Sequence, residues 1–146
     1  MPHVYASSVM PRPAADVWRR VRDFNALPEW TPFVAESRIE GNAPAHQVGC
    51  IRNFRLRDGG VIRERLLALS DYDMSCSYEI LESPMGVTDY VATLALTPVT
   101  DGNRTFISWE ARFDCAPGRE SELVAHVGGN VFQAAFDVLK MRLDGK

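Results

Sequence analysis

Between residues 48 and 66, apolar and polar side chains alternate in two runs that meet at Asp58-Gly59-Gly60. A period of two is that of a β-strand, and the glycine-rich break marks a hairpin turn. Arg52, Phe54, Leu56, Ile62, Glu64 and Leu66 share one face, while Asn53, Arg55, Arg57, Val61, Arg63 and Arg65 share the other. The first face is apolar except for one guanidinium and one carboxylate. A charge aimed among apolar side chains is costly unless paired or hydrated. This face therefore predicts the lining of a polar-accented cavity, and the second predicts an arginine-rich outer surface. A three-residue turn at 58–60 sets Leu56 opposite Ile62, Phe54 opposite Glu64 and Arg52 opposite Leu66. Arg52 and Glu64 then sit on diagonal positions about 7–8 Å apart at the backbone.

The remaining pattern predicts a first strand over 3–10, stopped by Pro11 and Pro13. Pro13-Ala14-Ala15-Asp16 opens a helix, in which Val17, Trp18, Val21 and Phe24 recur at amphipathic spacing. Asn25, Pro28 and Pro32 leave room only for a short second helix around Leu27 to Thr31. Strands are expected at about 34–40, 47–57, 61–70, 73–82, 86–97 and 104–114, separated by turn signals such as Ser83-Pro84-Met85-Gly86. Pro117-Gly118 precedes a long helix at about 119–143, apolar around most of its circumference and so buried. Short turns between consecutive strands imply one antiparallel meander. The expected architecture is α+β, a curved seven-stranded sheet around the last helix in a single domain spanning 1–146.

Composition narrows the class. The 146 residues carry 46% hydrophobic and 24% charged side chains and a net charge of only −3, so no basic field argues for nucleic acid. No run approaches the ~18 apolar residues of a membrane span, and the N-terminus lacks a signal-peptide apolar stretch. Cys50, Cys76 and Cys115, odd in number and widely spaced, suit reduced thiols, which points to the cytoplasm. His3, His46 and His126 complete neither a catalytic triad nor a metal set, and the glycines form no nucleotide fingerprint, so neither metal nor cofactor is expected. Oligomeric state is not encoded in any of these features.

Several segments resemble a known superfamily. Pro13-Ala14-Ala15-Asp16-Val17-Trp18 with Val21 and Asp23-Phe24 precedes Pro28-Glu29-Trp30-Thr31-Pro32-Phe33-Val34. Val48-Gly49-Cys50-Ile51-Arg52, Glu64-Arg65-Leu66, Tyr78, Tyr90, Trp109-Glu110 and the long last helix complete the set. Their order resembles the helix-grip (SRPBCC) superfamily of START domains, birch-pollen-type allergens and bacterial polyketide cyclase/dehydrase-like proteins. The resemblance implies a helix-grip fold with a cavity between the sheet and the last helix. The hairpin is also similar to that of the plant abscisic-acid receptors. Their cavity lysine falls on Ala35, however, their gate loop on the tight Asp58-Gly59-Gly60 turn, and their latch on Ser83-Pro84-Met85-Gly86. Hormone reception does not carry over.

Strand parity and the resemblance together propose a binding site. Apolar walls come from Phe54, Leu56, Ile62, Tyr78, Ile80, Tyr90 and Leu94, with Val127, Val131 and Ala135 from the helix. Arg52 and Glu64 supply polar groups. On the last strand, periodicity favours Ile107, Trp109, Ala111 and Phe113 facing inward, whereas the resemblance favours Glu110 inward, and Glu110 joins the candidate lining on that ground. Glu64 has two compatible readings: an ion pair with Arg52 that holds the hairpin, or a ligand contact. The leading expectation is binding of a small, largely apolar ligand, aromatic or polyketide-like. One alternative, implied by the resemblance, is a cyclase, aromatase or dehydratase with Glu64, Tyr78 and Tyr90 as catalytic acid–base groups. Another is a ribosome- or quinone-associated interaction protein, resting on superfamily analogy and the outer arginines.

Overall fold

The computed structural model describes residues 1–144. Strand β1 (His3–Met10) leads through helices α1 (Ala14–Val21) and α2 (Leu27–Trp30) to β2 (Val34–Ile39). A meander comes next: β3 (Ile51–Leu56), β4 (Val61–Ser70), β5 (Ser75–Glu82), β6 (Val87–Val99) and β7 (Arg104–Cys115). The last element is helix α3, residues 120–144. The seven strands form one antiparallel sheet in the order β1-β7-β6-β5-β4-β3-β2. This is the expected curved sheet around a long helix. Since β1 and β2 lie on opposite edges, the chain must cross the sheet between them. Helix α1 packs on β6 and β7, and α2 packs on β2 and the last part of α3.

Alternation decides which side chains enter the core. In β7, Thr105, Ile107, Trp109, Ala111 and Phe113 are buried. Glu110 faces away and meets His3 Nε2 at 3.0 Å on the outer surface. The inward placement of Glu110 is thus corrected. With a period of two, Trp109 and Glu110 cannot share a face, and the large apolar indole occupies the interior while the carboxylate stays in water. Thr88, two residues before the buried Tyr90, is exposed as well. The β6–β7 register shifts between Thr88 and Val91, around Asp89 with its φ of +52°.

The central hairpin keeps its faces but not its predicted register. Leu56 N–H donates to Gly60 O, and Gly59 takes a φ of +98°, so the turn is Arg57-Asp58-Gly59, one residue earlier than expected. Moving a turn by one residue slides the pairing by two, which preserves side-chain parity. Arg52 therefore lies directly opposite Glu64, and Phe54 opposite Ile62. Strand β3 also begins later than 47. Gly49, at φ +96°, and Cys50 both bond Leu66, a bulge that makes the preceding residues leave the ladder.

On the convex face the arginines meet carboxylates. Arg55 pairs with Glu36 at 3.1 Å, Arg65 with Glu79 at 2.9 Å, and Arg63 with both Glu40 at 2.7 Å and Glu82 at 2.5 Å. Glu40, in the turn after β2, accepts from Arg63 Nε and Nη2 and from Asn53 Nδ2. These bonds hold its carboxyl at about 2, down from the ordinary 4.5. A depressed carboxylate contributes stability that is present above the unfolded value and lost as the pH falls through the folded one. The urea midpoints of wild type and Glu40→Gln are therefore expected to differ near about pH 7 and to converge as the pH falls from about 4.5 to 2. Parallel curves over that window count against the assignment.

Candidate ligand-binding site

Direct opposition of Arg52 and Glu64 across β3 and β4 buries both charges, each residue being 5% exposed. Arg52 Nε donates to Glu64 Oε1 at 2.7 Å, and Nη2 lies 2.6 Å from the same oxygen. Nη1 donates to the Phe24 carbonyl at 3.2 Å, just beyond the end of α1. The guanidinium carbon sits 3.9 Å from the Phe24 ring centroid, 4.7 Å from that of Tyr78 and 5.8 Å from that of Phe54. Aromatic faces and a backbone carbonyl thus replace the water that the cation loses. Glu64 Oε2 has no hydrogen-bond partner among the described residues and is not sealed from solvent. It opens on the cavity that Glu64 lines.

Burial pushes the Glu64 carboxyl up from the ordinary carboxylate value, and the Arg52 charge and hydrogen bond oppose that rise. A guanidinium that keeps its proton, at 2.6 and 2.7 Å from Glu64 Oε1, favours the ionised carboxylate over the neutral acid. Protonating Glu64 would strand the buried cation. Tyr78 and Tyr90 line the same cavity, and burial raises both phenols above their ordinary value of 10. They are protonated at neutral pH. The Tyr78 hydroxyl accepts the Trp109 indole N–H at 3.1 Å, and Tyr90 stacks on Phe113 at 5.7 Å.

These groups form the floor of a cavity of about 330 Å³. Arg52, Phe54, Leu56, Ile62, Glu64, Tyr78, Ile80, Tyr90 and Val131 all reach it, as expected from strand parity. Leu94, Val127 and Ala135 do not. They are buried in the packed core and lie outside the lining. Parity tells in from out, but not whether an inward side chain meets protein or space. Arg57, placed on the outer face by alternation, lies at the cavity mouth, where its Nε donates to Pro32 O at 2.9 Å. Its position in the turn rather than the strand explains the difference.

Sequence reasoning missed several mouth residues, among them Phe33, Met85, His126 and Asn130. Loops and an irregular stretch inside α3 place them, and no periodicity marks those. Trp109 was accessible from alternation, yet the resemblance set it aside. His126 and Asn130 belong to a stretch of α3, His126–Gln133, that is π-helical, closed by the Ala134 N–H bonding Gly129 O five residues back. Asn130 Nδ2 and His126 Nδ1 are 3.1 Å apart on its exposed side. Among the described residues, no three His, Cys, Asp or Glu side chains cluster as a metal site, and no helix is long and apolar enough to cross a membrane.

A curved sheet gripping a C-terminal helix, with a polar-floored cavity between them, defines a START-like, hydrophobic-ligand-binding fold. The chain belongs to the family described as polyketide cyclase / dehydrase and lipid transport, whose model matches residues 1–144. A Thermobifida fusca protein of known solution structure is 31% identical, with 99% of this chain and 95% of that one covered at a TM-score of 0.88. The protein XoxI from Bacillus cereus is 24% identical, with 98% and 96% covered at a TM-score of 0.87. A START superfamily protein from Mycobacterium smegmatis shares the fold at 14% identity and a TM-score of 0.79, covering 99% of each chain. No curated protein matches the chain.

The ion pair makes a stability prediction. Removing one partner of a buried pair strands the other charge and costs about 3–5 kcal/mol, whereas replacing both with apolar groups is often neutral. Arg52→Met and Glu64→Leu are each expected to lower unfolding free energy by about that much, and the double variant by much less. Additive losses in a denaturation double-mutant cycle would refute this coupling.

Proposed function

We propose that the protein binds a small, largely apolar, planar molecule in the cavity between the sheet and α3. The observation that carries this reading is the composition of the cavity. Phe54, Leu56, Ile62, Ile80 and Val131 form apolar walls, and Arg52, Glu64, Tyr78 and Tyr90 converge at the closed end. A few convergent polar groups in an apolar pocket are the usual anatomy of a small-molecule site. At about 330 Å³ the volume lies at the lower end of the ~300–1,000 Å³ range of such pockets. That favours a compact ring system over a long-chain lipid. The free, buried Cys50 and Cys76 support a reducing compartment, and we place the protein in the cytoplasm.

A catalytic reading keeps one specific support. Glu64 combines an open oxygen with a raised proton affinity, and the protonated phenol of Tyr90 lines the same space. Such a pair suits proton transfer to a folded, enolisable chain, as in cyclisation or dehydration. Tyr78, whose hydroxyl accepts from Trp109 and keeps its own proton to donate, is a second phenol lining that space. Loss of activity in Glu64→Gln with the fold intact, in a cyclisation assay, would support this reading, and full retention by Glu64→Gln, Tyr78→Phe and Tyr90→Phe would remove it.

A thermal-shift screen tests the binding reading. Planar apolar compounds are expected to raise the melting midpoint, and Ile62→Trp, which intrudes on the cavity wall, is expected to diminish that rise. A screen in which no planar apolar compound shifts the wild-type midpoint overturns the proposal.

A further inference from the structure

The charges at the cavity floor bear on what a ligand must bring with it. Three of the five Arg52 N–H donors are committed: Nε and Nη2 address Glu64 Oε1, Nη1 addresses the Phe24 carbonyl, and the rings of Phe24 and Tyr78 lie within 3.9 and 4.7 Å of its carbon. Its charge already has a counter-ion in Glu64, so an incoming acid would meet a cation that is electrically matched. The exposed member of the pair is instead Glu64 Oε2, a negatively charged acceptor with no partner among the described residues, in a residue 5% exposed. An acceptor of this kind demands a donor from its ligand. Because one guanidinium cancels one carboxylate, the floor is also electrically balanced. A charged ligand would add a net charge to a site with little water, and burying an uncompensated charge is strongly unfavourable.

We infer that the cavity selects neutral ligands bearing a hydroxyl, phenolic or alcoholic, which donates to Glu64 Oε2, and that it rejects both carboxylates and ammonium groups at its floor. A hydroxyl carries one donor and two acceptor lone pairs, so the same oxygen can also accept from the Tyr90 hydroxyl, which lines the same cavity. A carboxylate has only acceptors and would face Glu64 with like charge. Arg57 at the mouth does not rescue it, since that side chain is exposed and an ion pair there is worth little. This inference rests on the cavity-binding reading and adds the chemical class of the ligand.

Four bicyclic probes of one shape separate the possibilities: naphthalene, naphthol, naphthoate and naphthylmethylammonium, each titrated into the intact protein by NMR at neutral pH. Naphthol is expected to bind about tenfold or more tightly than naphthalene, the size of a hydrogen bond to a charged acceptor. Naphthoate and naphthylmethylammonium are expected to bind more weakly than naphthalene. In the double variant Arg52→Met/Glu64→Leu, which removes the acceptor without stranding a charge, the naphthol-to-naphthalene ratio is expected to fall to about one. Naphthoate or the ammonium probe binding as tightly as naphthol would overturn the inference while leaving the binding reading intact. An undiminished naphthol preference in the double variant would overturn it too. Failure of all four probes to bind would defeat the cavity-binding reading itself, and the inference with it.

Discussion

Two opposite charges placed face to face on the concave side of a sheet constrain everything packed above them. Arg52 and Glu64 leave water together, and each needs hydrogen bonds or polarisable neighbours in exchange. Phe24, Phe54 and Tyr78 provide ring faces, and the backbone after α1 provides a carbonyl. The demand of Glu64 Oε2 is not met by the protein. A close-packed apolar roof over it would seal an unpaired charge, so the sheet and α3 are kept apart at this end. The cavity is in this sense a physical requirement of the ion pair beneath it.

At the other end nothing keeps the layers apart, and they close on one indole. Trp109 of β7 stacks on Phe132 at 4.3 Å and 14°, with Phe136 at 6.0 Å and Trp30 of α2 at 5.6 Å. Aromatic contacts of this kind add about 0.5–1.5 kcal/mol each beyond area burial. They join sheet, crossover helix and last helix at one point. The indole N–H also reaches the Tyr78 hydroxyl, at the boundary between packed core and cavity. Packed core and cavity thus share a wall, and Tyr78 stands in it.

Most of this architecture is legible in the chain because alternation and turn residues are local properties. The order of elements, the inward set of the central hairpin and the proximity of Arg52 to Glu64 all derive from a period of two and a glycine-bearing turn. The pairing register was less accessible, since Asp58-Gly59-Gly60 and Arg57-Asp58-Gly59 both have the residues of a three-residue turn. Parity made that slip harmless to the site. Glu110 shows the opposite case, where family analogy displaced a correct reading of alternation. Leu94, Val127 and Ala135 mark a harder limit. Whether a buried side chain borders space depends on the distance between layers, which no single segment encodes. The mouth residues His126 and Asn130 depend on a local change of helical pitch, which the apolar spacing along the helix does not report.

That change of pitch carries a consequence for how the family varies. A π-helical stretch holds an extra residue relative to a regular helix, and one residue of α-helix corresponds to about 100° of rotation and 1.5 Å of rise. Removing a single residue between His126 and Gln133 would therefore let the stretch close into a regular α-helix with both flanks near their present orientation. The Phe132 and Phe136 anchors would hold the second half in place. The change would fall on the wide turn itself, which carries His126 and Asn130 at the cavity mouth, and would leave the floor on the sheet untouched. Length variation at this one segment is thus a route by which related chains can exchange their entrance chemistry without rebuilding their core.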